Sequence, residues 1–478
     1  MFPNYLQPDQ VEFVLLSFEG PDAYSKAGGL GVRVSNLAEF LAGSGFQTHL
    51  IFIGSPDLPS REEWLDGRLH YHRWCQWISR YHPLGVYDGD EGKLVDFNRS
   101  VPGYIVEKIA RPAIAQRRHL VVLAEEWHTA EALIRLSDAL YAADLRSNTI
   151  LLWNANNTMG FERIDWPRLS FVSTLTTVSR YMKQIMRIYG LDPLIIPNGI
   201  PAELLNPAPE EIVRLVRERV VERDELMLFK VGRYDPAKCW LSAVEAAALL
   251  KQGGEKVRFL CRGGIEAHGE EVLNHARELG LTVKDVIGSP KTWQEAVEAI
   301  SGSGAADVLN LRFSMSPEML RVFYAAADVV IANSKHEPFG LVGLEAMAAG
   351  GVVFTGPTGE TYSADGAGAI ALDTEQPEEL VLAIENLHNH PEKALAIRQV
   401  APLVAARYTW ENVVEILFEK ICLARNYQKV HPFRVSLFVT PKPSQKEAPK
   451  TRPEQPNLPA WAVPVQMPVE MVMRAVPG

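Results

Sequence analysis

The segment His336-Glu337-Pro338-Phe339-Gly340-Leu341-Val342-Gly343-Leu344-Glu345 holds two carboxylates on either side of a turn and the start of a helical pattern. It follows the apolar run Val329–Ile331, so the amides of Phe339, Gly340 and Leu341 read as the unsatisfied donors of a helix N-terminus. Such a tip favours phosphate, and Gly340 lets a ligand approach the backbone closely. If helical geometry extends into the loop, Glu337 and Glu345 stand about 12 Å apart along the axis. That spacing suits one carboxylate at a reacting group and one at ribose hydroxyls, with a diphosphate between them. Either Glu alone reads equally well as a first-turn charge favoured by the helix dipole.

Arg233 and Lys238 sit in Gly232-Arg233-Tyr234-Asp235-Pro236-Ala237-Lys238, directly after the strand pattern Leu226–Val231. Open α/β sheets bind ligands at that end of a strand, and two cations there can neutralise a departing diphosphate. Lys26-Ala27-Gly28-Gly29-Leu30-Gly31 is a second glycine loop, whose amides at Gly28 and Gly29 and whose Lys26 charge suit phosphate; a plain tight turn is the other reading. His128, in Glu125-Glu126-Trp127-His128-Thr129-Ala130, opens a helical pattern and reads as a hydroxyl partner or a packed core histidine. Asp88-Gly89-Asp90 imitates a metal-binding pair of aspartates, but its glycine-rich context argues for a turn, so no metal site is expected. The aromatics Tyr71, Trp74, Trp77 and Tyr81 read as packing more readily than as a sugar platform.

These residues need a scaffold that returns loops to one edge. Short apolar runs alternate with helix-period segments, the pattern of βαβ units and a parallel sheet. Strands are expected at Phe13–Ser17, Thr48–Ile53, Leu120–Ala124, Ile150–Trp153, Leu175–Val178 and Leu194–Ile196, then at Leu226–Val231, Val257–Arg262, Val329–Ile331 and Val352–Thr355. Helices are expected at Val34–Ser44, His128–Tyr141, Tyr181–Tyr189 behind Ser179, Glu210–Arg223, Leu241–Lys251, Gly269–Leu279, Glu318–Ala326 and Gly340–Ala349. Thr409 is read as capping a last helix, Trp410–Ala424. The three prolines in Pro201–Pro209 mark a boundary. The expected order is a first α/β domain over 1–205, a second over 206–407, a helix over 408–427, and a linker and tail over 428–478. Nine of the last 38 residues are proline, which reads as a disordered tail.

The chain has 478 residues, a length that calls for two large domains, and a formal net charge of −10, which argues against a nucleic-acid partner. Four scattered cysteines without metal-ligand spacing, no signal-peptide pattern and no transmembrane segment make a cytoplasmic location the expectation. The sequence does not set an oligomeric state.

Taken together the motifs resemble the retaining glycosyltransferases of the GT-B fold, closest to family four, with glycogen- and starch-synthase-like features. The resemblance rests on Lys26–Gly31, Trp127–Ala130, Thr177-Val178-Ser179, Pro197-Asn198-Gly199-Ile200, Val231–Lys238 and Glu337–Glu345, in family order across residues 11–427. It implies two Rossmann-like, doubly wound α/β domains facing across a cleft. It also implies transfer of a hexose from a nucleoside-diphosphate sugar to a sugar or glycan hydroxyl, with no cofactor and no metal. In that reading Arg233, Lys238 and the Phe339–Leu341 tip hold the diphosphate, Glu345 the ribose and Glu337 the transferred sugar. His128 lines the sugar site, and the last helix crosses back to the first domain. Phe339 stands where glycogen synthases carry Cys, and Ala27 where they carry Thr. The alternatives are a phosphorylase of the same fold or a non-catalytic sugar-nucleotide-binding protein.

Overall fold

The computed structural model describes residues 6–357, 359, 361–363 and 368–430. The first sheet is built from β1 (Val11–Leu16), β2 (Gln47–Ile53), β3 (Arg61–Trp64), β4 (Leu69–Trp74), β5 (His119–Glu125), β6 (Thr149–Ala155), β7 (Thr174–Thr177) and β8 (Leu194–Ile195). Their order is β3-β4-β2-β1-β5-β6-β7-β8, parallel except for the β3–β4 pair. The second sheet uses β9 (Glu225–Val231), β10 (Lys256–Arg262), β11 (Val283–Val286), β12 (Val308–Leu311), β13 (Val329–Ala332), β14 (Val353–Thr355) and β15 (Ile370–Ala371). Its order is β11-β12-β10-β9-β13-β14-β15, parallel throughout. Every residue of β1, β5 and β6 is buried, as central strands covered by helices on both faces require.

In each sheet the strand order reverses at the first strand: β1 lies between β2 and β5, and β9 between β10 and β13. At such a reversal the loops leave to opposite sides and open a crevice at the carboxyl ends. The segments after β1 and β5 carry Glu19, Lys26–Gly31 and His128, and those after β9 and β13 carry Arg233, Lys238 and Glu337. The expected chemistry therefore falls at the two switch points.

Several expected elements take a different form. The helix Val34–Ser44 begins earlier, at Gly29, and runs to Gly43. Its first amides are held from outside the helix, which offsets the poor helical propensity of glycine. The helix expected over Glu210–Arg223 stops at Val220. Ser179 does cap its helix, accepting the amide of Met182 at 3.1 Å. Thr409 does not: its hydroxyl donates to Ala406 O, and its side chain makes no cap contact. Strands β3, β4, β11, β12 and β15 have no counterpart among the expected ones, and the tail from 431 lies outside the described residues.

The last helix, Trp410–Tyr427, packs against the first sheet. Val413, Val414, Leu417 and Ile421 are buried in one cluster with Val11, Phe13 and Leu15. Before it, Tyr408–Trp410 runs beside the outgoing Gly199–Pro201. The amide of Ile200 donates to Tyr408 O at 2.8 Å, and that of Trp410 to Ile200 O at 3.1 Å. Gly199 is required there, since a Cβ would lie 2.5 Å from the Trp410 ring.

Candidate active site

Helix Leu341–Ala348 starts behind Gly340, whose φ of 91° is a left-handed conformation that favours glycine. A Cβ at that position would meet the Tyr362 hydroxyl at 2.5 Å and Glu337 Cγ at 3.1 Å. The helix therefore begins after Gly340, and Glu337 lies on the preceding loop. The 12 Å helical rise expected between Glu337 and Glu345 does not apply. Phe339 is buried against Tyr362 and Tyr408, with ring centroids at 5.5 and 5.9 Å, so its side chain anchors the turn.

Lys238 reaches this turn from the loop after β9: its Nζ lies 2.5 Å from Glu337 Oε2. Both side chains are mostly buried, at 28% and 23% exposure, so this contact is less screened than a surface pair. The amide of Lys335 donates to Ala237 O at 3.0 Å, a second tie between the two loops. Arg233 is more exposed and lies 3.7 Å from Asp235. Its field still reaches Tyr87 of the first domain and opposes the burial that pushes the Tyr87 phenol up.

Across the cleft, Gly29 faces the same helix tip: a Cβ built on it would lie 3.9 Å from Leu341 Cδ1. A further bridge between the domains joins the Tyr181 hydroxyl to His336 Nδ1 at 3.2 Å. The structure thus gathers Lys238, Glu337, Gly340, Leu341 and Gly29 at one crevice. The phosphate cradle expected of the glycine loop is already filled, however. Glu19 Oε2 accepts the amides of Ala27, Gly28 and Gly31 at 3.2, 2.9 and 3.0 Å, and Glu19 Oε1 accepts the Tyr87 hydroxyl at 2.8 Å. Lys26 is exposed.

His128 lies in a single 3₁₀ turn, Trp127–Thr129, ahead of the helix and not within it. Its ring stacks on Phe18 and Trp127, centroids 4.3 and 3.8 Å apart, and Tyr87 closes the box at 5.5 Å. Burial lowers its pKa to about 3, so the imidazole is neutral at pH 7, and Nδ1 is buried without a hydrogen-bond partner among the described residues. Beside it, Glu126 has a φ of 67°, and burial raises its carboxyl to about 8. Backbone strain in a non-glycine residue is often concentrated at functional sites. The sequence reading overlooked both Glu126 and Glu19.

Glu345 is half-buried on its helix, and burial raises it to about 7. Its field reaches Tyr324, which also feels Arg262. Arg262 lines a cavity of about 550 Å³ with Gly263, Gly264, Ser289, Lys291 and Arg312, outside the carboxyl ends of β10, β11 and β12. The sequence reading missed these lining residues too, because their loops converge only in the fold. Asp88-Gly89-Asp90 is a helix-start turn: Gly89 has φ 68°, Asp88 accepts the Leu84 amide, and Asp90 opens helix Asp90–Ile105. The aromatic cluster divides, with Tyr71 and Trp74 packed, and Trp77 and Tyr81 exposed by 65% and 78%.

The buried groups set an acid limit on stability. His72, like His128, is lowered to about 3 by burial, so in the unfolded chain each takes a proton near pH 6.5 that the fold refuses. From pH 6.5 to 4.5, Glu126 and Glu345 offset this, because the fold holds their protons more tightly than the unfolded chain does. Below pH 4.5 that offset is gone: each histidine lowers stability by roughly 1.4 kcal/mol per pH unit down to about pH 3, and carboxylates held low by their hydrogen bonds, Asp307 and Glu379 among them, act in the same direction. Urea midpoints measured from pH 5.5 to 3.5 check this, with His72→Gln expected to make the fall below pH 4.5 shallower by roughly 1.4 kcal/mol per pH unit.

Residues 214–403 match the family model described as glycosyl transferases group 1. D-inositol 3-phosphate glycosyltransferase of Corynebacterium urealyticum is 36% identical over 230 residues, 47% of this chain and 50% of that protein. The chain spans about half the length of the curated relatives it matches. Among solved structures, sucrose-phosphate synthase from Thermosynechococcus elongatus aligns with a TM-score of 0.63 at 18% identity, over 88% of this chain and 100% of that one. The catalytic domain of starch synthase IV from Arabidopsis thaliana, bound to ADP and acarbose, gives 0.61 at 16% identity, over 88% and 100%. The fold is GT-B, two Rossmann-like α/β domains, and no helix of the described residues is long and apolar enough to cross a membrane.

Proposed function

We propose that this GT-B chain is a retaining glycosyltransferase that moves a hexose, with glucose the first candidate, from a nucleoside-diphosphate sugar to a carbohydrate or other hydroxyl acceptor. The observation that carries the reading is the Lys238–Glu337 pair, set against the Gly340 turn and facing Gly29 across the cleft. The group 1 match and the GT-B fold support it, and so does the printed description of the starch synthase neighbour as bound to ADP and acarbose.

In this proposal the nucleoside occupies the Arg262 cavity and Glu345 accepts hydrogen bonds from the ribose. The tip of helix Leu341–Ala348, with Arg233 and Lys238, balances the charge that grows on the diphosphate as the sugar departs. As that charge develops, Lys238 turns from Glu337 toward the leaving oxygen. Glu337 holds the hydroxyls of the transferred sugar and forms no covalent bond. His128, neutral and boxed by Phe18, Trp127 and Tyr87, lines the same sugar site from the first domain. The acceptor hydroxyl attacks on the face the diphosphate leaves, so the anomeric configuration is kept. Cations and helix dipole carry the electrostatic work, and the proposal assigns no metal. A cytoplasmic site of action fits the free thiols of Cys75, Cys239, Cys261 and Cys422.

Thermal unfolding in the presence of UDP-, ADP- and GDP-sugars tests the donor. One nucleotide series is expected to raise the melting temperature by a few degrees, because a ligand at 100 times its Kd adds about 2.7 kcal/mol to the native state. Proton NMR of the product then reports the anomer. A chain that none of the donors stabilises, or a product of inverted configuration, removes the reading.

A further inference from the structure

Lys230, the sixth residue of β9, is buried to 2% exposure directly before Val231-Gly232-Arg233. Its Nζ donates to Asn333 Oδ1 at 2.6 Å and stands 5.1 Å from the centroid of the Trp240 ring. Asn333 is itself buried and directly follows β13, at the start of the segment that carries Glu337. One buried contact therefore joins the strand ends from which both halves of the Lys238–Glu337 pair emerge. Resting on the donor reading above, we infer that Lys230 is a positioning residue of the donor site. Through Asn333 it fixes the spacing of the two loops, and on donor binding it takes up a proton from solvent to place a buried positive charge behind the diphosphate.

The charges around Lys230 fit that role. The groups that act on it are Cys261 on the neighbouring strand, Cys239 and Lys238 from the loop after β9, and Glu337 from the loop after β13. Burial is the largest influence and brings its pKa down to about 7, with Lys238 pushing the same way and Glu337 opposing, while burial keeps both thiols protonated. Near neutral pH burial thus keeps Lys230 part-neutral, and an incoming diphosphate restores the ammonium. Donor affinity then falls as pH rises above 7, by up to about tenfold per unit.

Calorimetric titration of the whole chain with UDP, ADP and GDP, in buffers of different ionisation heat, measures both affinity and proton uptake. The wild type is expected to take up roughly half a proton or more at pH 7.5 with the nucleotide it binds. Lys230→Met is expected to take up none, to bind about tenfold more weakly at pH 6.5, and to lose the pH dependence. Asn333→Asp keeps an acceptor for Lys230 and adds a negative charge, so the midpoint of the binding profile moves upward by about one pH unit or more. A purely structural role would not move it. Unchanged affinity and uptake in Lys230→Met overturn the inference and leave the donor reading standing. If Lys230→Met does not fold, an unmoved midpoint in Asn333→Asp overturns it. A wild type that binds none of the three nucleotides overturns the donor reading and the inference together.

Discussion

Glu337→Gln is expected to leave the protein folded and to lower transfer by about 100-fold or more, an effect of the size seen when a preorganised electrostatic partner is removed. The substitution conserves volume and keeps a carbonyl oxygen where the sugar is proposed to sit, while deleting the charge that Lys238 meets at 2.5 Å. Lys238 then has no competing carboxylate, so nucleoside diphosphate binds at least as tightly as to the wild type. Rate and affinity part company, which a folding defect would not produce. Lys238→Ala is expected to lose both, since it removes the cation that Glu337 and the proposed diphosphate share. The double variant is expected to lose less than the sum of the two, because the residues act as a unit. Steady-state rates at saturating donor, set beside nucleotide Kd values, make the comparison. A Glu337→Gln enzyme turning over at the wild-type rate would place the sugar elsewhere.

Glu19→Ala is expected to destabilise the first domain by about 3 kcal/mol, through the amides and hydroxyl left without an acceptor. One carboxylate serves Ala27, Gly28 and Gly31 together with Tyr87, and it does so at the N-terminus of helix Gly29–Gly43, where a negative charge is favoured. Removing it empties an anion cradle, so sulfate should restore part of the lost melting temperature in Glu19→Ala and have less effect on the wild type. If melting is unchanged, the loop does not depend on this contact.

The way these sites could and could not be read from the sequence follows from the range of the interactions. Strands β1, β5, β9 and β13 are mostly apolar runs, and the residues proposed to carry the chemistry follow them, so the sequence alone pointed to the Arg233–Lys238 loop and the Glu337 turn. Local geometry went wrong where one residue broke the period. The left-handed Gly340 takes Glu337 off the helix axis, although an eight-residue spacing fits a helix well. Glu19 was invisible because the amides it holds lie eight to twelve residues away, and nothing in its neighbours reports that distance. Strand β3, Arg61-Glu62-Glu63-Trp64, is a charged edge without an apolar run; it exists because β4 beside it offers a ladder. The 550 Å³ cavity gathers residues from three strand ends, which no single window of sequence contains.

The paired crossings at Gly199–Pro201 and Tyr408–Trp410 carry a mechanical consequence. Among the described residues, both connections between the domains pass along one line, zipped by two backbone hydrogen bonds. Any opening of the cleft would turn about that seam, and a few degrees of twist there would be magnified at contacts farther from it, such as Tyr181–His336. Cutting the chain ahead of Trp410 would remove one leaf of the hinge, so the two halves would stay tethered while the angle between them ceased to be set.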